Sequence, residues 1–438
     1  MQYNFSFSRA IFIILIIFIS RHNFGQQGSP DSLTLVQAIN LTIKNYPLIK
    51  QQQEKIKSAD YRIEQQKSYY YPNVEGTASY ARIGPLPSFN FGNEELILAP
   101  ADNYNINIGL SQQIYDFGRR DASVDLMKSF KQSAADNVDL VKSNLSYQTL
   151  QTFYSLLFIR ESIAVKDTQI AALQEHLNFT DKKIQSGSAT DYDALSTQVR
   201  ISQAQSEKIE LLNQIKQQQI ILTQLLGVSQ DTSINITGDF SAPSSSPNPD
   251  SLIDIAFRKR SELKIAMDEL NTSRLQENAE SLSGMPSLNA NLSYGFRNGY
   301  EPNLNVLRGN WVAALSVNVP IFNGFLVKNK ESEAEVNTNA ANLNITILKR
   351  NIVSEVQQAL TNLNSNLDKL KSTLAQVNFA KATVQRSIAR YNSGVGTNLD
   401  LLDAETSVAQ ARLFYLQDLY RSILSFYQLK KAVGDIIY

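Results

Sequence analysis

The 438-residue chain contains no cysteine. Disulfides, thiolate nucleophiles, thiolate metal sites and a lipid-modified N-terminal cysteine are thereby excluded. Histidine is almost as scarce. His22 and His176 are the only two, too few for the usual imidazole-rich metal centres and a thin basis for a catalytic triad. Charge is sparse, at 19% of residues, and balanced, with 41 basic against 41 acidic side chains. No basic field points to nucleic acid, and no acidic excess points to disorder. Beyond the first twenty residues no apolar run approaches the 18 or so needed for a transmembrane helix. Asn, Gln, Ser and Thr fill the space that charge vacates, an unusual mixture for a cytosolic enzyme.

The N-terminus carries the one compact apolar run. Arg9 precedes Ala10–Ile19, and small residues follow from Ser20 to Gly25. A basic residue, a short apolar core and a small-residue exit read as a secretory signal peptide over residues 1–25. The chain is therefore expected to be exported, and any membrane contact must be made by something other than an apolar helix.

The remainder is written twice. Ile114-Tyr115-Asp116-Phe117-Gly118 is matched by Ile321-Phe322-Asn323-Gly324-Phe325, 207 residues later. The same offset relates Ser186–Asp193 to Ser393–Asp400, and Leu226-Gly227 to Val433-Gly434. Upstream, Tyr71-Pro72 corresponds to Met285-Pro286 at an offset of 214, the difference falling in a loop. Residues 237–250, rich in Pro and Ser, have linker composition. The organisation expected is a first repeat over 26–236 and a second over 251–438, each in the order helix, strand, strand, long helix, turn, helix.

Glycine and proline are missing from Arg119 to Ser186 and from Phe325 to Ser393. About 68 helical residues make a rod of about 100 Å. In the second rod Ile345, Ile352, Val356, Ala359, Leu363, Leu370, Leu374, Val377, Val384, Ile388 and Tyr391 follow heptad spacing. Ile163, Ile170, Leu173, Leu177 and Ile184 show the same habit in the first. Such rods are coiled coils or staves of a helical tube. Their ends are punctuated: Gly187 and Gly394 stand where a left-handed residue is needed. Thr190 with Asp193, and Thr397 with Asp400, have capping-box spacing for a returning antiparallel helix.

Four strands are predicted, at about 72–82, 103–117, 286–297 and 310–322. Apolar and aromatic residues alternate with Asn, Ser, Gly and Thr, where a soluble surface would carry Lys and Glu. Strands of 9–12 residues with this alternation, and with aromatics toward their ends, suit a transmembrane β-sheet. Tyr71, Tyr104, Tyr115, Trp311 and Phe322 are candidates for the membrane-interface girdles, with Tyr115 and Phe322 the ones best placed to pack at the strand–helix junctions instead. Four strands leave unpaired edges that lipid does not tolerate. Two copies would give an eight-stranded barrel filled by its own side chains, and three would leave an opening.

Tyr71-Pro72, the run Gln112–Gly118, the run Val319–Gly324 and above all Tyr391–Ala404 together resemble the outer-membrane efflux proteins, the TolC-like channel-tunnels. The resemblance covers residues 30–434. It implies a mainly α fold with a transmembrane β portion: a homotrimer with a twelve-stranded outer-membrane barrel above a long periplasmic α-helical barrel. It also implies docking to a periplasmic adaptor (membrane fusion) protein and an inner-membrane RND or ABC transporter. Through the same resemblance Asp400 and Asp403 match the aspartates of the periplasmic aperture, and Asp193 is the first-repeat counterpart of Asp400. Asp400 and Asp193 also have cap positions, whereas Asp403 has none. No cofactor, metal or catalytic residue is expected, nor nucleic acid as a partner; the expected surroundings are outer-membrane lipid and the periplasm. A periplasmic coiled-coil tether without a pore would account for the rods but not for the strands.

Overall fold

The computed structural model describes residues 32–92, 94–230, 234–243 and 249–435. The expected signal peptide, residues 1–25, lies outside them. Each repeat opens with two helices, not the single one expected. Helix α1 (Leu35–Asn45) starts at Thr34, whose hydroxyl and Gln37 form a capping box. It ends at Tyr46, which is extended because Pro47 follows and begins α2 (Pro47–Lys67). In the second repeat α5 (Pro249–Lys259) and α6 (Ser261–Ser281) break at Arg260, again extended, with no proline to cause it. The Arg260 guanidinium is buried there, held by Glu262, Glu355 and the Ala432 carbonyl. A buried guanidinium with two partly exposed carboxylate partners therefore fixes the second break, and no local sequence signal announces it.

Strands β1 (Asn73–Arg82), β4 (Asp102–Tyr115), β5 (Ser287–Arg297) and β6 (Arg308–Asn318) form one antiparallel sheet in the order β1-β4-β5-β6. Among the described residues its edges, β1 and β6, have no further strand beside them. Strand β6 stops at Asn318, four residues short of the expected end, just before Val319-Pro320; proline has no N–H to give a ladder. Between β1 and β4, β2 (Ser88–Phe91) and β3 (Glu94–Ile97) form a separate hairpin.

Helices α3 (Arg119–Gln185) and α7 (Leu326–Asn392) each run 67 residues and fold back on α4 (Asp191–Leu226) and α8 (Asn398–Ala432). Side by side they lie as α4-α3-α8-α7, with α2 and α6 laid against the part nearer the sheet. The largest cores sit midway along this layer. One gathers Leu150, Phe153, Leu157, Leu222, Leu226 and Ile423. The other gathers Ala256, Leu263, Ile352, Val356, Leu363 and Leu429. Toward the helical turns, among the described residues, only Leu173, Ile201 and Leu402 form a buried apolar cluster, so polar contacts carry more of the packing there.

The apolar seams fit the heptad reading only in part. On α7, Leu374 and Ile388 are exposed. On α3, of the five expected residues only Leu173 is buried. The seam that α3 does bury is Ser162, Lys166, Gln169, Leu173, His176 and Thr180. It keeps heptad spacing but is mostly polar, so apolar periodicity cannot reveal it.

Candidate functional site

The sheet separates two chemistries by face. Cross-strand partners share a face, and the register lines up Val74, Leu110, Leu292 and Ala313, then Gly76, Ile108, Tyr294 and Trp311. On this side Val74, Ile106, Ile108, Leu292, Leu315 and Val317 are all exposed. The opposite face carries Thr77, Asn107, Gly295 and Asn310 in one row, and Glu75, Gly109, Ser293 and Val312 in the next. That polar face is concave; a hollow of about 260 Å³ is lined by Glu75, Thr77, Asn107, Ser111, Asn291 and Ser293.

Aromatic side chains band the apolar face at both ends. At the end remote from the helices Tyr80 lies 5.2 Å from Tyr104, ring centre to ring centre, and Trp311 stands opposite Tyr294. At the helix end lie Tyr71, Tyr115, Phe117, Phe322 and Phe325. Tyr115 and Phe322 sit edge-on against the junction residues Phe117 and Phe325, ring centres 4.9 and 5.4 Å apart, yet remain 55% and 74% exposed. A band of exposed apolar side chains between two aromatic belts is how a surface meets a bilayer.

At each strand-to-helix junction two consecutive residues are left-handed: Phe117 and Gly118 in the first repeat, Gly324 and Phe325 in the second. The order of Phe and Gly is reversed between repeats, yet each copy accepts one non-glycine residue in this costly region. Asp116 secures the first junction. Its carboxylate accepts from the Gly118 and Arg120 amides and from Arg120 Nε at 2.8 Å. Arg120 in turn donates to the carbonyls of Tyr69, Gln113 and Ile114.

The far ends of the long helices bring the remaining candidates together. Gly187 and Gly394 adopt φ of +74° and +75°. Asp193 accepts from the Thr190 amide and hydroxyl, both at 2.9 Å, and closes the cap of α4. Asp400 closes the cap of α8: its carboxylate accepts from the Thr397 amide and its own amide donates to the Thr397 hydroxyl, both at 3.1 Å. Those Thr397 hydrogen bonds hold the Asp400 carboxyl below its usual range. Asp403 is engaged differently. It pairs with Arg200 of α4 at 3.0 Å, joining the two repeats, and keeps 59% of its side chain exposed.

A second cross-repeat link lies behind it. Asn398 donates to the Asp193 carbonyl at 3.1 Å, which turns its amide oxygen toward His176 at 2.6 Å. His176 Nε2 must then be the donor. Lys183 donates to the Tyr391 carbonyl and sits over the Tyr391 ring, 3.9 Å from its centre. Sequence patterning assigns His176 no role and does not single out Arg200, Asn398 or Lys183. Their partners lie about two hundred residues away, so no local pattern could pair them.

Farther along α3, Asp136 accepts from Lys264 at 2.6 Å and faces Asp268. Burial, and then the hydrogen bond to Asp136, push Asp268 up to about 6. Among the described residues no cluster of three or more His, Asp or Glu is placed to hold a metal ion. No described helix is long and apolar enough to cross a membrane.

Comparison with known proteins agrees with this architecture. The family model of the outer membrane efflux proteins matches residues 38–228 and again 252–435, one match per repeat. The chain is 20% identical to the outer membrane protein TolC of Vibrio cholerae, over 82% of this chain and 83% of that one. It is 23% identical to the protein CyaE of Bordetella pertussis, over 93% and 85%. Its fold superposes on crystallised CusC with a TM-score of 0.79 at 19% identity, covering 91% of this chain and 92% of the other.

Proposed function

The chain belongs to the outer membrane efflux protein family, a family of channels and not of enzymes, and on that premise we propose that three copies form a passive exit duct through the outer membrane. The observation that carries this reading is that every layer of the protomer has two open edges. The sheet ends in β1 and β6, whose unpaired backbone groups would cost several kcal/mol each in hydrocarbon. The helical layer ends in α4 and α7, which leave Tyr192, Leu195, Val199 and Ile209, and Val336, Leu343, Ile347 and Phe379, exposed. Side-by-side association covers all four edges at once. With three copies the sheet has twelve strands, its apolar face toward lipid and its polar, concave face around water.

The duct lowers the barrier for a polar solute; the energy comes from a pump in the inner membrane, of the RND or ABC class, reached through a periplasmic adaptor. The helical turns form the periplasmic entrance. Three copies gather Asp403 around it, with Asp400 committed mainly to its cap. Asp403 pairs with Arg200 yet keeps 59% of its side chain exposed, so it can also meet cations in the pore. The test is conductance of the purified protein in planar bilayers with divalent or trivalent cations on the periplasmic side. The parent should be blocked and Asp403→Ala should be blocked less. Equal block in both removes the aspartate ring, and absence of any conductance removes the duct.

A further inference from the structure

The outer mouth of the sheet holds an arrangement that duct formation does not require. Only a handful of charged residues lie within the four strands, and two of them, Arg297 and Arg308, stand directly opposite one another in the β5–β6 register. Like charges in directly opposite positions destabilise a strand pair. Both are on the polar face, in the row of Asn105. No carboxylate among the described side chains pairs with either. The Arg297 guanidinium instead stacks on Tyr300, 4.9 Å from its centre. Arg308 donates to the Glu301 carbonyl at 2.8 Å. Asn310, on the same face, donates to the Tyr300 hydroxyl at 3.1 Å. These three contacts fold the β5–β6 loop onto the polar side of the sheet, so in a closed barrel it leans into the lumen.

The carboxylate on this face, Glu75, sits in the row of Ser293, four residues down β5 from Arg297. Four residues of strand span about 14 Å. The Debye length at physiological salt is about 8 Å, so Glu75 does not neutralise the two guanidiniums across the water of the pore. The arginines are left as a stacked and partly anchored pair of hydrogen-bond forks with no carboxylate among the described side chains in direct ion-pair contact, Glu301 meeting Arg308 through its backbone carbonyl.

We propose that Arg297, Arg308 and Tyr300 form an anion-recognising constriction at the outer mouth, which takes solutes bearing a carboxylate or phosphate group. An oxyanion set between the two guanidiniums relieves their repulsion and accepts charge-assisted hydrogen bonds from both. The inference rests on the duct reading. It assigns the exit end a preference for anions that the aspartates of the entrance do not have.

The experiment uses the full-length assembly in bilayers of neutral lipid, which removes lipid phosphate as a source of anion. Inorganic triphosphate is added on the outer side while single-channel current is recorded. The parent should be blocked from that side. In R297Q/R308Q the half-blocking concentration should rise about tenfold or more, the loss expected when charge-assisted hydrogen bonds to an anion are removed. R297K/R308K keeps the charge but not the fork, and should fall between the two; its block also shows that the mouth is intact. The same half-blocking concentration in R297Q/R308Q and the parent overturns the anion site while leaving the duct standing. A parent assembly that conducts no current overturns the duct and this inference together.

Discussion

Asn398→Ala removes the contact that ties the two repeats together behind the helical turns. Asn398 and His176 are both buried. The substitution deletes the 2.6 Å bond to His176 and the 3.1 Å bond to the Asp193 carbonyl. The carbonyl keeps the Thr197 hydroxyl as a donor, so it is not orphaned. The imidazole retains only a long contact with Thr180. Two lost hydrogen bonds and one nearly unsatisfied buried N–H give about 2–3 kcal/mol. The apolar cluster nearby, Leu173, Ile201 and Leu402, is too small to absorb this. The cost should appear as local opening of the turn and not as global melting, because the large cores lie well up the helices. Hydrogen exchange followed by mass spectrometry should show amides of residues 393–402 exchanging roughly 30- to 150-fold faster, with those around Leu150 unchanged. An acceleration below about threefold at the turn would mean that the buried pair is not what pins it.

Other outcomes follow from the same contacts. Asp268 is raised to about 6 by burial and by Asp136, with Lys264 opposing the shift; Gln132 and Asp139 bear on its neighbours Asp136 and Lys264. Below about pH 4 it is protonated both folded and unfolded and costs nothing; as pH rises through 6 the folded state must hold a disfavoured charge, so stability falls. Asp268→Asn should therefore stabilise the protein by about 1–2 kcal/mol at pH 8, after allowance for partial exposure, and by almost nothing at pH 4; thermal melts showing the same gain at both would refute the assignment. A methyl group at Gly295 would collide with the Ile106 carbonyl oxygen and come within 2.5 Å of Asn107 Cβ. Gly295→Ala should cost the β4–β5 pairing about 2 kcal/mol and lower the yield of membrane-inserted assembly on gels; an undiminished yield would show that the sheet can spread. Asp403→Ala should leave thermal stability within about 0.5 kcal/mol, since its partner Arg200 is also partly exposed, while cation block weakens; a large loss of stability would make Asp403 a structural residue.

What the sequence made legible is what repeats or alternates locally. The 207-residue offset exposes both halves, because equal junctions and equal turns need equal residues. Strand alternation separates a face for lipid from a face for water. Pro47 marks one helix break by removing an N–H, whereas the break at Arg260 depends on Glu355 and the Ala432 carbonyl, both far along the chain. The buried seam of α3 escapes hydropathy because Lys166, Gln169, His176 and Thr180 occupy positions where apolar residues were sought. The cross-repeat bonds of Asp403 and Asn398, and the opposed arginines of the outer mouth, exist only once strands and helices from separate halves lie side by side.

A duct exists only if the open edges are closed by further copies of the same chain. Native mass spectrometry of the protein released from detergent micelles tests this directly. A dominant species of three protomers is the predicted result. A single protomer that stays monodisperse after the detergent is withdrawn would contradict it.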